Sequence, residues 1–220
     1  MAEKMTSLTG PERLPADGTK ADSVVVLLHG LGADGADLIG LAPDFARLLP
    51  RTAFLSPDAP DPCDMAPYGR QWFSLQDRTP EVVAGLVAAA SPVVEGDLGS
   101  VLKRFDVTPD RLALVGFSQG TIMSLQVAYR LLHELAGVVG FSGGLAGSDM
   151  FGEEVTARPP ALLVHGEADD VVVFDRMLAA AETLRSARVD VQTLARPGLG
   201  HGIDEAGIRA AGNFLLERLG

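Results

Sequence analysis

The sequence predicts a single α/β domain with an open, mostly parallel central sheet and helices on both faces. Short apolar, β-branched runs alternate along the chain with longer stretches of helical period. This alternation is typical of parallel strands joined by crossover helices. The 220 residues are 47% hydrophobic and 21% charged, a composition usual for a globular domain. No repeat, low-complexity tract or linker divides them.

Six runs are predicted as strands because they are almost continuously apolar, as expected for strands covered on both faces. They are VVVLL at 24–28, TAFLS at 52–56, RLALVGF at 111–117, LAGVVGF at 135–141, PALLVH at 160–165 and VDVQTL at 189–194. The domain is expected to occupy residues 23–220. Residues 1–22 are rich in proline, glycine and charge, and are expected to form a loose lead-in.

Helices are predicted where apolar residues recur at spacings of three and four. One covers 38–49. Another begins at Thr79-Pro80-Glu81, where a capping hydroxyl, a first-turn proline and an acid suit a helix start. Pro92 is expected to break this helix, and the period resumes over 94–105. Two further helical faces lie within 177–184 and 208–219.

Charge, cysteine content and the length of the apolar runs limit the kinds of partner and compartment that we expect. The net charge is −11, with 29 acidic and 18 basic residues, so nucleic acid and anionic membranes are repelled on average. The single cysteine, Cys63, excludes an internal disulfide and favours a reducing compartment. Apolar runs such as 24–28 are too short to span a bilayer, and the N-terminus lacks the apolar core of a signal peptide. We therefore expect a cytoplasmic protein with a small-molecule partner.

The loop after the first clear strand is glycine-rich. Residues 29–35 read HGLGADG and contain G-x-G-x-x-G at Gly30, Gly32 and Gly35, the pattern of a dinucleotide-binding turn. Asp58 lies just beyond the end of the next strand, where a ribose-binding acid is expected. A nucleotide-binding oxidoreductase is therefore one hypothesis, although glycine-rich turns also arise for conformational reasons alone.

The loop after the strand 111–117 offers a second hypothesis. Gly116-Phe117-Ser118-Gln119-Gly120 is a G-x-S-x-G between a strand and a helix, typical of a serine nucleophile on a strained turn. The first amides of the following helix can stabilise an oxyanion. The structural alternative is a serine that caps the helix between two convenient glycines.

A serine nucleophile needs a base that is held by an acid. His201 lies among glycines between the last strand and the last helix, where packing does not require a histidine, so it is the candidate base. His133 is expected to cap the helix after Ser118 or face solvent, and His29 and His165 are expected to shape turns or to bond within their loops.

The acid is expected between the serine and the histidine in the chain. Asp169 and Asp170 both follow the strand 160–165, and the spacing leaves open which of them is the acid. The other aspartate would then cap the helix that begins near Phe174.

Six segments together resemble the phospholipase/carboxylesterase family of α/β-hydrolases, which includes acyl-protein thioesterases. They are LLHGLGADG, SPDAP, GRQWFSL, GFSQG, HGEADD and GLGHG, and the resemblance covers most of 23–220. It implies Ser118 as nucleophile, Asp169 as acid and His201 as base. It also implies an oxyanion hole formed by the backbone N–H groups of Leu31 and Gln119.

The resemblance has further implications. Asp170 departs from the family pattern, where many relatives carry proline. The QWF segment would place Trp72 and Phe73 beside the substrate, although an indole also suits a core. The stretch 61–76 has no regular periodicity and is expected to form a lip over the site, with Met65 as a third candidate substrate contact.

The activity implied by the resemblance is that of a serine carboxylesterase for small-molecule esters, without metal or cofactor, acting as a monomer or homodimer. The alternative within this class is a thioesterase or lysophospholipase for longer acyl chains. A further alternative is a catalytically silent relative that only binds small ligands.

Overall fold

The computed structural model describes residues 9–147 and 151–220 and is built on a seven-stranded sheet. Its strands are β1 (Glu12–Arg13), β2 (Ser23–Leu28), β3 (Thr52–Leu55), β6 (Leu112–Phe117), β7 (Gly137–Phe141), β8 (Ala161–Gly166) and β9 (Val191–Arg196), and a separate pair is formed by β4 (Asp61–Pro62) and β5 (Arg70–Gln71). The seven strands lie in the order β1-β3-β2-β6-β7-β8-β9. Strand β1 is antiparallel to β3 and the remaining neighbours are parallel, which confirms the predicted fold class.

Helices cover both faces of this sheet, and each face has its own apolar cluster. The helices are α1 (Gly35–Leu38), α2 (Ala42–Leu48), α3 (Pro80–Phe105), α4 (Gln119–Ala128), α5 (Phe151–Glu154), α6 (Asp175–Ser186) and α7 (Glu205–Leu219). Helices α3, α4 and α6 pack on one face, and α2 and α7 on the other. Successive residues of β2 point alternately into the two clusters, so every residue of the strand is buried.

Part of the expected lead-in is attached to the edge of the sheet. Glu12 pairs with Leu55, and the Ser56 N–H donates to the Pro11 carbonyl at 3.0 Å. Residues 9–13 therefore differ from the loose segment that the composition predicts. Backbone pairing needs no apolar pattern, so the composition carries no sign of it. Residues 1–8 of the lead-in lie outside the described residues.

Helix α3 runs through Pro92, so the predicted break is wrong. Proline has no N–H to donate to the Ala88 carbonyl, four residues earlier. The Ser91 hydroxyl donates to that carbonyl instead, at 3.2 Å, and Pro92 itself lies on the exposed side of the helix. The polar group that proline would leave unpaired is thus satisfied by its neighbour.

Helix α3 is also long and apolar enough, by length and composition alone, to cross a membrane. A third of the residues in its most apolar window are buried inside the protein. The buried residues include Val87, Val94, Leu98 and Val101, which belong to the larger apolar cluster. The apolar character of α3 is therefore used in part to cover the sheet.

Candidate active site

Ser118 stands alone between the end of β6 and the start of α4, on a strained backbone. Its φ of 53° and ψ of −113° lie outside the regions that L-residues ordinarily occupy. Such a sharp turn requires the flanking glycines: a Cβ on Gly120 would lie 1.8 Å from the Leu28 carbonyl oxygen. Within the described residues the Ser118 hydroxyl makes no capping bond to α4. The geometry therefore differs from that of an ordinary helix cap.

The structure brings Asp169, and not Asp170, to His201. The Nδ1 atom of His201 lies 2.7 Å from Oδ2 of Asp169, which is only 6% exposed. Asp170 is exposed, and Phe174 occupies the N-cap position of α6 with no side-chain cap, so the predicted capping role of the second aspartate is wrong.

The carboxylate of Asp169 is held at both oxygens. Oδ1 accepts the backbone N–H groups of Val171 and Val172, each at 2.9 Å, while Oδ2 faces His201. Burial raises the pKa of Asp169, but the hydrogen bonds from His201 and the two amides together outweigh burial and leave its pKa below the ordinary value. The group is therefore ionised at neutral pH.

The loop that carries His201 lies over the serine turn. The imidazole of His201 is 5.0 Å from the ring of Phe117, the residue before Ser118. The Ser142 hydroxyl, at the end of β7, donates to the Gly202 carbonyl at 3.3 Å. The serine turn, the aspartate and the histidine loop thus lie near one another at the carboxyl ends of β6, β8 and β9, the edge that parallel sheets favour for a site.

The glycine-rich loop after β2 reaches the same place. A Cβ on Gly30 would lie 3.0 Å from the Phe117 ring and 3.5 Å from the Ser118 Cβ, so the backbone of residues 30 and 31 runs beside the serine. On the other side, Gln119 is the first residue of α4. Its buried side-chain oxygen accepts a hydrogen bond from the backbone N–H of Trp72 at 2.9 Å. The backbone that bears the predicted oxyanion donors, Leu31 and Gln119, thus borders Ser118 from two sides.

The dinucleotide hypothesis gains no support from this loop. The Gly32 N–H donates to the Arg70 carbonyl at 2.9 Å, and the Gly35 N–H donates to Oδ1 of Asp58 at 2.8 Å. Two amides of the motif and its candidate ribose-binding acid are therefore engaged with the protein itself. A Cβ on Gly35 would lie 1.9 Å from the Ser56 carbonyl oxygen, so close packing explains this glycine.

The three predicted substrate contacts lie at different depths. Trp72 is 1% exposed, its indole N–H donates to the His29 carbonyl at 2.9 Å, and Phe73 is buried beside it. Met65 is 48% exposed, in the segment between β4 and β5. That segment is anchored because the Cys63 N–H donates to the Gly69 carbonyl at 2.9 Å.

The two histidines expected to shape turns or bond within their loops, His29 and His165, make such bonds and further contacts as well. Nε2 of His165 lies 2.7 Å from the Val172 carbonyl and 3.1 Å from Oδ2 of Asp169. Both ring nitrogens of His29 are bonded to backbone. The spacing of His165 and Asp169 within H-G-x-x-D is a signal that could have indicated the first contact. His133 is exposed beyond the end of α4.

These features define the α/β-hydrolase class: a parallel sheet, a strained serine turn after one strand, and an aspartate–histidine pair on the loops after two later strands. The described residues contain no group of three or more His, Cys, Asp or Glu side chains placed to hold a metal ion.

Comparisons with known proteins agree with this assignment to the α/β-hydrolase class. A sequence profile of the Phospholipase/Carboxylesterase family matches residues 12–218. The chain is 31% identical over 199 residues to esterase YpfH of Escherichia coli (strain K12), covering 90% of this chain and 82% of that protein. It is 28% identical over 217 residues to acyl-protein thioesterase 1 of Neurospora crassa, covering 90% and 87%. The crystal structure of esterase PE8 superposes with a TM-score of 0.93 at 35% identity, covering 97% of this chain and all of that one.

The chain therefore belongs to the phospholipase/carboxylesterase family and is a carboxylic ester hydrolase. The resemblance found in its sequence motifs is confirmed.

Proposed function

We propose that this protein hydrolyses small carboxylic esters through an acyl-enzyme on Ser118, with His201 as base and Asp169 as the triad acid. The observation that carries the proposal is the 2.7 Å contact between His201 and a buried Asp169, beside a strained serine turn. A carboxylate only accepts hydrogen bonds, so the proton of neutral His201 lies on Nδ1. Its Nε2 is then left as the base.

The reaction follows from these roles. Ser118 Oγ attacks the ester carbonyl and gives its proton to Nε2 of His201, while ionised Asp169 stabilises the imidazolium. The backbone N–H groups of Leu31 and Gln119 hold the oxyanion. His201 returns the proton to the leaving alcohol, and a water molecule activated by His201 then releases the acid. These steps need no metal or cofactor, and we propose none.

A second candidate is hydrolysis of thioesters or esters with longer acyl chains. Its support is a set of exposed apolar side chains on segments that flank the site: Met65, Val171 and Val173 are each about half exposed or more. Val171 and Val173 lie two and four residues after Asp169. The similarity to an acyl-protein thioesterase supports the same candidate. Met65 is the accessible one of the three proposed substrate contacts, and Trp72 and Phe73 would support the site from beneath.

We further propose a cytoplasmic protein, monomeric or homodimeric, that binds neither nucleic acid nor the membrane interior. The net charge of −11 and the lone cysteine support this placement. The buried face of α3 accounts for part of its apolar composition.

The proposal is tested with a fluorophosphonate label and a panel of p-nitrophenyl esters from acetate to palmitate, alongside an acyl thioester. Wild type and Ser186→Ala, an exposed serine at the end of α6, should both be labelled and active. Ser118→Ala should be unlabelled and lose nearly all activity, because only residual oxyanion-hole catalysis remains. Retention of more than about a tenth of the wild-type kcat by Ser118→Ala would reject the assignment, since a triad serine is worth far more.

A matched pair of variants tests the acid. Asp169→Asn should lower kcat/KM by roughly 10³-fold or more, because an amide stabilises the wrong tautomer of His201 and cannot balance the imidazolium. Asp170→Asn should lower it less than about tenfold, as expected for a solvated group. Circular dichroism of both variants should match that of the wild type, which checks that they are folded. A larger loss for Asp170→Asn would move the triad acid by one residue.

A further inference from the structure

His29 is fully buried, and each of its ring nitrogens has one backbone partner. Nδ1 lies 2.7 Å from the Gly30 carbonyl oxygen, and Nε2 lies 3.0 Å from the Ala59 nitrogen. A carbonyl only accepts and a backbone N–H only donates, so Nδ1 carries the proton and Nε2 carries the lone pair. The two partners thus fix a single neutral tautomer of His29.

The contact with Gly30 has a geometric consequence for the next residue. The Gly30 carbonyl and the Leu31 N–H belong to one planar trans peptide, in which the two groups point in opposite directions. Holding the carbonyl therefore sets the direction of the Leu31 N–H. The Ala33 N–H also donates to the Gly30 carbonyl, at 3.3 Å, which closes the turn on the same side.

The preceding peptide is held in the same manner. The Trp72 indole N–H donates to the His29 carbonyl at 2.9 Å, and the two rings lie 5.3 Å apart. Two successive peptides of the loop are thus anchored by ring N–H groups from the protein interior. Gly30 itself has no side chain to keep the backbone away from Ser118.

We propose that His29 is a positioning residue for the oxyanion hole: its Nδ1–H holds the Gly30–Leu31 peptide so that the Leu31 N–H faces the oxyanion formed at Ser118. The inference rests on the proposed function and extends it to a side chain that does not touch the substrate. Preorganised donors of this kind stabilise the transition state because no reorientation is needed during the reaction.

Burial keeps this donor in place. Burial lowers the pKa of His29, and this effect outweighs the opposing influences of the Gly30 carbonyl and of Asp58, Asp34 and Asp37. The imidazole of His29 therefore stays neutral at neutral pH. A protonated ring would place an N–H against the Ala59 N–H.

Two variants separate the contacts of His29. In His29→Asn the amide nitrogen takes about the place of Nδ1 and can donate to Gly30. In His29→Gln the longer amide reaches the place of Nε2 and can accept from Ala59. In His29→Gln we expect kcat to fall roughly 10- to 100-fold with little change of KM. This is less than the ~10²- to 10³-fold loss of kcat caused by removing an oxyanion donor outright, because here the donor is present but less well oriented. In His29→Asn the kcat should stay within about fivefold of wild type, because the amide still donates to the Gly30 carbonyl.

The readouts distinguish positioning from stability. The burst of p-nitrophenol counts active sites, so kcat is expressed per active site, and inhibition by phenylboronic acid reports affinity for a tetrahedral oxyanion mimic. His29→Gln should bind the boronic acid more weakly in proportion to its kcat. An equal loss of kcat per active site in both variants, or a loss in neither, would overturn the proposal.

The tautomer of His29 can also be measured in the wild-type protein, so this test does not require any variant to fold. Long-range ¹H–¹⁵N spectra should show His29 protonated at Nδ1 and bare at Nε2, and the opposite tautomer would refute the proposal. Failure of the proposed function is a separate result, because it would appear as absent esterase activity and absent labelling in the wild type.

Discussion

The loop after β2 and the turn after β6 lie side by side, since their strands are paired, yet their glycines serve different purposes. In the β6 turn, Gly116 and Gly120 make room for a strained Ser118. In the β2 loop, Gly35 allows close packing and donates to Asp58. Two glycine patterns that suggest different chemistry are thus two parts of one site.

The difference shows how a glycine motif can be judged. A phosphate-binding loop needs backbone N–H groups that point to a ligand. The amides of Gly32 and Gly35 are directed to Arg70 and Asp58 instead. The spacing of glycines therefore indicates less about function than the partner of each amide.

The largest expected effect comes from Gly120→Ala. The added Cβ would lie 1.8 Å from the Leu28 carbonyl oxygen, and backbone cannot move aside as a flexible side chain can. We expect a loss of several kcal/mol in the free energy of unfolding, measured in urea, and loss of esterase activity.

Gly32→Ala is the matched control for Gly120→Ala. Gly32 has φ +78°, but the nearest atom to a Cβ there is the Cys63 sulfur at 4.0 Å. Only backbone strain remains, about 1–2 kcal/mol. An equal or larger loss for Gly32→Ala would contradict the distinction between close packing and backbone strain.

A smaller effect is expected at Asp58. Asp58→Ala removes the acceptor of the Gly35 N–H, and the free energy of unfolding should fall by about 1–2 kcal/mol. Asp58→Asn should lose less, because its amide oxygen can still accept. Titration of the wild type with a fluorescent dinucleotide should show no saturable binding. Binding that Asp58→Ala weakens would restore the oxidoreductase hypothesis for this loop.

The smallest effect concerns pH. The pKa of His29 is lowered in the folded protein, so below its unfolded value of about 6.5 the unfolded chain binds the proton that the native state rejects. This group therefore leaves stability intact above about pH 6.5 and reduces it as pH falls toward the folded pKa. His29→Asn should make the decline in unfolding free energy between about pH 7 and 5 shallower. An unchanged slope would show that His29 is not buried as a neutral ring.

Sequence patterns predict most of the sheet because its strands are covered on both faces. The six apolar runs match β2, β3, β6, β7, β8 and β9 to within about two residues, a usual uncertainty at element ends. What the patterns miss depends on contacts between distant residues or on single hydrogen bonds. Strand β1 exists through backbone pairing with β3, and the continuity of α3 depends on the Ser91 hydroxyl.

The candidate site divides in the same manner. The G-x-S-x-G spacing and the glycine-flanked His201 are local signals, and they identify two proposed catalytic residues from sequence. The choice between Asp169 and Asp170 is not local, because it depends on which carboxylate the loop 170–174 turns inward. The role proposed for His29 depends on Ala59, thirty residues away, and no local pattern encodes that contact.

The strained backbone at Ser118 lowers the stability of the fold at the position of the proposed nucleophile. A non-glycine residue in such a conformation raises the energy of the native state by about 1–3 kcal/mol. Glycine at this position would relax the turn, so a screen for thermal tolerance alone would favour a better-folded but inert protein. The proposed role as nucleophile supplies a reason to keep a serine in this conformation despite its cost in stability.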